Sequence, residues 1–233
     1  MAKGNFLFNY SYLKKQFEIS LSHGYEIVTC EYFAKNPRFS GCKILINRID
    51  VDFSIKKCLP LCNIFNELNI KGTFFIRLHA PEYNPFSFEN YRIIRFLVSS
   101  GHEIGYHSEV IDESVIWNEE ACECLKRDLC IFNIMFKTNI SGVASHGGMT
   151  GLNNLNFWKS RKPADFDLLY EAYDWFDKIF YVSDSEWTKW KCYNKGILIK
   201  DDSRSLGDHI LDQHEVIYSL IHSDTFFSNH FYE

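Results

Sequence analysis

The sequence has 233 residues, of which 46% are hydrophobic and 17% aromatic, a composition that excludes a disordered chain. This length can bury a large core without disulfides, so the eight cysteines are predicted to be reduced. The formal net charge of −5 and the lack of a dense Lys/Arg run argue against nucleic acid as a partner.

The amino-terminal segment bears on where the protein resides. MAKGNFLFNYSYLKKQFEIS contains neither a continuous apolar run nor a small-residue cleavage site, so we expect a cytoplasmic protein. We also expect no transmembrane segment, because no stretch approaches the ~20 apolar residues that a spanning helix needs. No composition shift or repeat divides the chain, which predicts a single domain over residues 1–233. The oligomeric state is left open.

Hydrophobic periodicity and turn signals predict alternating helices and strands. In the first half they are helix 10–22, strands 26–30 and 43–46, a helix from residue 54, strand 73–77, helix 88–100 and strand 103–106. Pro60 predicts a kink or an early break in the helix that starts near Ser54. In the second half they are helix 118–132, strands 141–144, 179–182 and 196–199, a helix from about residue 211 and strand 216–221. The repeated order of strand, polar tip and helix is typical of parallel strands wound by helices, so we predict a barrel-like α/β domain.

Residue types that bind metals or transfer protons collect at the predicted carboxyl ends of these strands, the edge where such folds place their sites. In chain order they are Asp50, Asp52, Arg77, His79, His107, Glu109, His146, Asp184, Asp201 or Asp202, and His222. Asp50 and Asp52 lie two positions apart on an extended chain and therefore point to the same side. Two such carboxylates need a positive charge between or beside them, and a divalent cation supplies it. One carboxylate would bind the cation and the other would remain free as a base.

Several motifs occur in an order that resembles a known family. They are HGYEIV, NRIDVDFS, KGTFFIRLH, SSGHEIGYHSE, ASHGG, YVSDS and LIHSD. The most specific part is GHEIGYH, preceded by KGTFF. The sequence is similar to the polysaccharide deacetylase (NodB-homology) superfamily, and more closely to its branch with an RHDVD-type first motif, which is associated with surface-polysaccharide biosynthesis. The resemblance implies a distorted (β/α) barrel of the polysaccharide deacetylase type with a divalent metal, usually Zn²⁺, at its top.

The same resemblance implies roles for individual residues. Asp50 corresponds to the general base, Asp52 and His107 to metal ligands, and His222 to the general acid that protonates the departing amine. The implied activity is the metal-dependent removal of an N-acetyl group from a sugar, or from a nucleotide-linked or lipid-linked sugar precursor. Zinc lowers the pKa of its bound water to ~7, and imidazole is suited to giving a proton near neutral pH.

The sequence departs from the family's pattern at the third metal ligand. Members carry a second histidine four residues after the first, and this chain has Ile111 there. Glu109 is the first candidate to replace it, followed by His146 and Asp112, with His79 more remote. The family's Arg-containing third motif is also absent, and ASHGG takes its place. His146 is therefore also a candidate for stabilising an oxyanion or orienting a neighbour.

The other candidate residues have supporting roles. Asp184 is expected to orient a catalytic histidine through a hydrogen bond. Arg77, His79 and Asn84 follow a strand and are candidates for contacting substrate hydroxyls or a phosphate. Two other functions stay open: a catalytically silent carbohydrate-binding barrel, and a metal amidohydrolase acting on a non-sugar amide.

Overall fold

A mixed, mainly parallel sheet forms the centre of the protein in a computed structural model that describes residues 8–185 and 187–228. Its strands are β1 (Glu26–Val28), β2 (Ile44–Val51), β3 (Thr73–Ile76), β4 (Glu103–Ser108), β5 (Gly142–Ser145), β6 (Tyr170–Glu171), β7 (Phe180–Ser183), β8 (Lys191–Asn194), β9 (Ile197–Leu198) and β10 (Val216–His222). They are ordered β6-β5-β4-β3-β2-β10-β7-β8-β9, and β1 pairs with the start of β2. The strands from β6 to β7 are parallel, whereas β8 and β9 pair in antiparallel fashion.

Helices connect these strands. They are α1 (Tyr10–Ser22), α2 (Cys30–Lys35), α3 (Cys58–Glu67), α4 (Phe88–Ser99), α5 (Val110–Trp117), α6 (Ala121–Phe136) and α7 (Leu206–Leu211). Asn9, Ser87 and Ser205 begin α1, α4 and α7, because each side chain accepts a hydrogen bond from a backbone N–H of the first turn. In the part of the chain that the structure describes, no helix is long and apolar enough to cross a bilayer.

The hydrophobic core lies on both faces of the sheet, since side chains alternate along each strand. Leu45 and Ile49 of β2 belong to the larger cluster, which includes residues of the surrounding helices, and Ile44 belongs to a smaller inner cluster. In the inner cluster the Trp175 ring lies 5.2 Å from the Tyr170 ring of β6 and 5.9 Å from the Tyr218 ring of β10.

This contact shows how the sheet is curved. Four strands separate β6 from β10 in the sheet order, so rings that bridge them require the sheet to curl around the inner core. No hydrogen-bonded ladder between described residues joins the outer strands β6 and β9. The predicted α/β fold, a distorted barrel, is therefore confirmed. All eight cysteines are free, as expected for reduced thiols.

Some predicted boundaries were wrong. Strand β2 continues through Val51, five residues beyond its predicted end at Ile46, because its polar residues pair with each other inside the barrel. Pro60 lies in the first turn of α3, where its missing N–H has no intrahelical acceptor to lose, and residues 55–57 form a 3-10 turn in place of the predicted helix start.

Other corrections concern the second half of the chain. The helix predicted at 118–132 is α6, which begins at Ala121 and ends at Phe136. Helix α5 before it was not predicted, and it is capped at its end by Asn118 in a left-handed conformation (φ 54°). The helix expected from about residue 211 ends there as α7. The strand predicted at 196–199 belongs to the antiparallel pair β8–β9, so Asp201 and Asp202 follow an antiparallel strand, and Asp202 forms an ion pair with Arg204. These two aspartates are not part of the predicted site.

Candidate active site

The carboxyl ends of β2, β4 and β10 bring two carboxylates and two histidines together. In the register of β10 with β2, His222 lies opposite Asp50. His107 Nε2 is 3.3 Å from Asp50 Oδ2 and 3.3 Å from Asp52 Oδ1, and His222 Nε2 is 3.8 Å from Asp52 Oδ2. All four residues are buried. The parallel pairing of these strands therefore places all four side chains in one cluster.

The guanidinium group of Arg48 binds both carboxylate oxygens of Asp50. Its Nε donates to Oδ1 at 2.8 Å and its Nη2 donates to Oδ2 at 2.7 Å. Burial alone would raise the pKa of Asp50, but the charges of Arg48 and His107 outweigh burial and lower it. Sequence reasoning missed Arg48, although its position two residues before Asp50 places both side chains on the same face of β2.

The proton on His107 can be located from its neighbours. Nδ1 lies 2.8 Å from the carbonyl oxygen of Ala144, which can only accept, so Nδ1 carries the hydrogen. In the neutral ring Nε2 then carries no hydrogen, and its lone pair faces oxygens of Asp50 and Asp52. Asp52 Oδ1 is buried without a hydrogen-bond partner among the described residues. Three acceptor atoms that face one another require a cation, either a proton or a metal ion.

Asp184 accepts two hydrogen bonds from His222 and orients its ring. Nδ1 donates to Asp184 Oδ1 at 2.6 Å, and the backbone N–H of His222 donates to Oδ2 at 2.9 Å. Burial alone would lower the pKa of His222, but Asp184, Asp50 and Asp52 raise it to about 9. The Trp187 ring stacks on the imidazole at 5.6 Å between centroids. This arrangement keeps His222 protonated at neutral pH.

A second group of side chains borders Asp52. Arg77 Nη1 donates to the carbonyl oxygen of Asp52 at 3.1 Å, and its Nη2 donates to Glu109 Oε1 at 2.8 Å. His146 Nδ1 is 3.3 Å from the same Glu109 oxygen, while His146 Nε2 is 4.0 Å from Asp52 Oδ1. Burial alone would raise the pKa of Glu109, but His146 and Arg77 lower it. Arg77 therefore contacts protein groups at the site.

Three other candidate residues have partners elsewhere. His79 Nε2 pairs with Asp128 Oδ2 at 2.9 Å and lies near Glu113. Asn84 is exposed, and its Oδ1 accepts from the backbone N–H of Phe86. Asp112 accepts hydrogen bonds from residues of the loop that follows β5. Among the described residues, these three do not line the cavity that contains Asp50.

That cavity has a volume of about 270 Å³ and contains Asp50, Asp52, His107, His146 and His222. Its walls include four aromatic side chains, those of Tyr173, Phe176, Tyr181 and Tyr193. A neighbouring cavity of about 670 Å³ shares residues 145–147, Tyr173 and Phe176 with it. The site thus opens into a larger groove with mixed polar and aromatic walls.

The donor atoms in the cavity fit a particular class of metal. One oxygen of Asp52 and one ring nitrogen each of His107 and His146 lie within 4.8 Å of one another. Three protein ligands of the carboxylate and imidazole types are typical of catalytic zinc, whereas Mg²⁺ and Ca²⁺ prefer oxygen ligands alone. Other groups of described residues contain similar donors, for example Cys192, Asp202 and His209, but they lie outside this cavity.

Comparisons with known proteins give similarities of fold. No protein-family profile and no curated protein matches the chain. A CE4 family pseudoenzyme from Bacillus anthracis matches with a TM-score of 0.47 and 15% identity, over 79% of this chain and only 57% of that protein. IcaB from Ammonifex degensii matches with a TM-score of 0.45 and 15% identity, over 64% of this chain and 72% of that protein. The Streptococcus pyogenes deacetylase PplD, in complex with acetate, matches with a TM-score of 0.46 and 13% identity, over 63% of this chain and 66% of that protein.

The solved structures that the protein resembles in fold thus include a CE4 family pseudoenzyme and a deacetylase, and the RHDVD-type branch stays a prediction. The roles of individual residues rest on contacts within this chain.

Proposed function

We propose that the protein is a metal-dependent hydrolase that removes an N-acetyl group from a sugar or sugar precursor in polysaccharide biosynthesis. The observation that carries this proposal is the orientation of His107, whose Nε2 lone pair faces oxygens of both Asp50 and Asp52 at 3.3 Å. This geometry suits a metal ligand next to a base. The motif resemblance to polysaccharide deacetylases supports the same reaction class.

Asp52 and His107 would hold the metal, with Zn²⁺ the best fit to a carboxylate and imidazole donor set. The hydrogen bond from His107 Nδ1 to a backbone carbonyl orients the ring for this role. When bound, the metal supplies a Lewis acid for the acetyl carbonyl and lowers the pKa of water to ~7.

Asp50 would accept the proton of the attacking water. Its Oδ2 lies 3.3 Å from His107 Nε2, so the base stands beside the metal position without being needed as a ligand. Arg48 keeps the carboxylate charged and fixes its orientation. A carboxylate with a lowered pKa is too weak a base to deprotonate free water. Asp50 would therefore act on a water whose own pKa the metal has lowered.

His222 would donate a proton to the departing amine nitrogen. Its pKa of about 9 keeps the ring charged at neutral pH, and Nδ1 is occupied by Asp184. Nε2 is therefore the nitrogen that serves the substrate. Asp50 on β2 and His222 on β10 lie opposite each other in register, which places base and acid on adjacent strands of the same cavity.

The cavity walls support a sugar as substrate. Aromatic side chains stack on the apolar faces of sugar rings, and four of them line the cavity that contains Asp50 and His222. The larger neighbouring cavity would hold the part of a linked precursor that is not deacetylated. A sugar carried on a nucleotide or a lipid is the predicted form of the substrate if the protein is cytoplasmic.

The test is acetate release from a panel of N-acetylated sugars and nucleotide-linked N-acetylhexosamines, with Zn²⁺ added or removed by a chelator. We expect release that requires the metal. Asp50→Asn should bind the metal and release no acetate. Asp201→Asn is the matched control, because this aspartate lies outside the cavity in a left-handed conformation (φ 62°) that asparagine tolerates.

The panel also separates the alternatives. Unchanged acetate release by Asp50→Asn would remove Asp50 as the base. Binding of sugars and no acetate release, with the metal bound, would overturn the proposal in favour of a silent carbohydrate-binding barrel. Activity confined to non-sugar amides would assign the site to a different amidohydrolase.

A further inference from the structure

Ile111 stands where the resemblance places a second metal-binding histidine, and it has no donor atom. It lies in the first turn of α5, where its side chain packs against the larger core cluster. Its backbone N–H donates to Asn154 Oδ1 at 2.9 Å. A third protein ligand must therefore come from another element.

The end of β5 supplies a suitable side chain. The backbone N–H of His146 donates to the carbonyl oxygen of Ser108 at 2.9 Å, which extends the β4–β5 pairing beyond its last registered pair. This pairing places the His146 ring 5.0 Å from the His107 ring, at 89° to it. His146 Nε2 lies 4.0 Å from Asp52 Oδ1, the oxygen that also faces His107 Nε2.

These distances are close to those of a bound metal. With zinc bonds of about 2.0–2.2 Å and tetrahedral angles, ligand atoms stand about 3.3–3.5 Å apart. Asp52 Oδ1 and His107 Nε2 already stand at that separation, and His146 Nε2 would have to approach Asp52 Oδ1 by about half an ångström. Because Glu109 Oε1 is hydrogen-bonded to Arg77 and lies on the Nδ1 side of His146, Glu109 is placed behind the ring.

We propose that His146 replaces the missing histidine as the third metal ligand. Its Nδ1 has no hydrogen-bond partner among the described residues, and Glu109 Oε1, 3.3 Å away, would accept from it when the metal is bound. This inference rests on the proposed function, since it names a ligand of the same metal. It reverses the order in which the sequence ranked the two residues. Glu109, held by Arg77, would act as the carboxylate partner that a metal-bound histidine uses on its other nitrogen.

Hydrogen bonds between Asn154, the backbone of His146 and the first turn of α5 position His146. Asn154 Nδ2 donates to the carbonyl oxygen of His146 at 3.2 Å and to Asp112 Oδ2 at 2.7 Å. Asp112 also accepts from the backbone N–H groups of Met149 at 3.0 Å and Thr150 at 2.9 Å. The helical turn that carries Ile111 therefore holds the loop after His146 in place. Asp112 is a positioning residue, since its oxygens are occupied by these bonds.

The first experiment measures the affinity of the metal-free protein for Zn²⁺ and Co²⁺ by competition with a chromophoric chelator. We expect His146→Ala to weaken binding by more than 100-fold, and Glu109→Gln by about 10- to 100-fold. His23→Ala is the matched control, because this exposed histidine lies at the end of α1 outside the cavity, and it should bind the metal as the wild type does. Urea unfolding of each metal-free variant shows whether it is folded.

A second measurement needs no substitution at the site. In the Co²⁺-loaded wild-type protein, NMR should show two paramagnetically shifted exchangeable imidazole N–H signals, from Nδ1 of His107 and Nδ1 of His146. One signal, or equal metal affinity in wild type and His146→Ala, would overturn the assignment of His146 and leave the proposed function standing. A wild-type protein that binds neither metal would overturn the metal site and both proposals together.

Discussion

Arg48 and Asp50 form a two-pronged ion pair within a single strand. Nε and Nη2 of Arg48 donate to the two oxygens of Asp50 at 2.8 and 2.7 Å, and both residues are buried inside the barrel. The Tyr173 ring lies 4.6 Å from the guanidinium carbon. A charged carboxylate can therefore stand at the floor of the cavity because its counter-charge comes from the same strand.

Breaking this pair on one side should destabilise the protein strongly. Arg48→Met leaves Asp50 as a buried charge without its main partner, and we expect the free energy of unfolding to fall by about 3–5 kcal/mol. Arg48→Met combined with Asp50→Asn should lose less than Arg48→Met alone, because no uncompensated charge remains. Urea denaturation of the single and double variants checks this. Strictly additive losses would show that the two charges are not coupled.

Removing the partner of His222 should slow the reaction and leave metal binding intact. In Asp184→Asn the ring loses the carboxylate that accepts from Nδ1 at 2.6 Å, so the charged form of the ring is less favoured. We expect acetate release to fall by about 10²- to 10⁴-fold, the usual contribution of a general acid. Asp167→Asn, at an exposed left-handed position (φ 59°), is a control that should behave as the wild type. An unchanged rate in Asp184→Asn would remove Asp184 from the mechanism.

Acid should destabilise the protein through His102. This residue is 5% exposed, packs against Phe65 and Phe74, and its Nε2 has no hydrogen-bond partner among the described residues. Burial, with a smaller effect of Lys71, lowers its pKa to about 4. Between the unfolded pKa of about 6.5 and pH 4 the unfolded chain binds more protons, so stability is lost as the pH falls through this range.

The size of this loss can be measured with a substitution. Between pH 7.5 and pH 5 the His102 contribution to the free energy of unfolding should decrease by about 2 kcal/mol, and His102→Gln should abolish that share. Buried His209, whose pKa is also lowered to about 4, would still contribute a similar loss in the variant. Urea unfolding at the two pH values tests this, and an identical pH dependence in wild type and His102→Gln would contradict it.

The inner packing of the barrel depends on glycine at position 105. A Cβ atom there would lie 2.3 Å from Phe75 Cε1, closer than any real contact, and the ring is fully buried. We expect Gly105→Ala to lower the free energy of unfolding by about 1–3 kcal/mol. Gly147→Ala is the control, since a Cβ at residue 147 meets no atom within 4 Å. Equal stability of the two variants would mean that Phe75 can move aside at little cost.

Much of the fold and part of the candidate site could be predicted from local patterns. The apolar run before Asp50 predicts a buried strand, and the spacing of Asp50 and Asp52 places both carboxylates on one side. His222 is the last residue of β10, as expected, and His107 lies one residue before the end of β4. Alternation of strand and helix predicts parallel pairing, and parallel pairing brings such strand ends to a common edge.

Other features depend on partners that are distant in sequence. The polar run Asn47-Arg48-Ile49-Asp50 resembles the end of a strand. It continues β2 because β3 and β10 pair with it on either side and bury it, and Arg48 then neutralises Asp50 inside the barrel. The antiparallel β8–β9 pair likewise follows from contacts with β7, which no local pattern encodes.

The sequence by itself determined that Asp50, Asp52, His107 and His222 end up together, because residue type and strand periodicity are local properties. Only the tertiary structure decided that His146 lies beside Asp52 and that Glu109 lies on the far side of the His146 ring. The pairing of β5 with β4 carries His146 next to His107, and Arg77 of the neighbouring strand end draws Glu109 to the other side of that ring. Both outcomes arise from contacts between residues more than 30 positions apart, and so neither could be predicted from spacing along the chain.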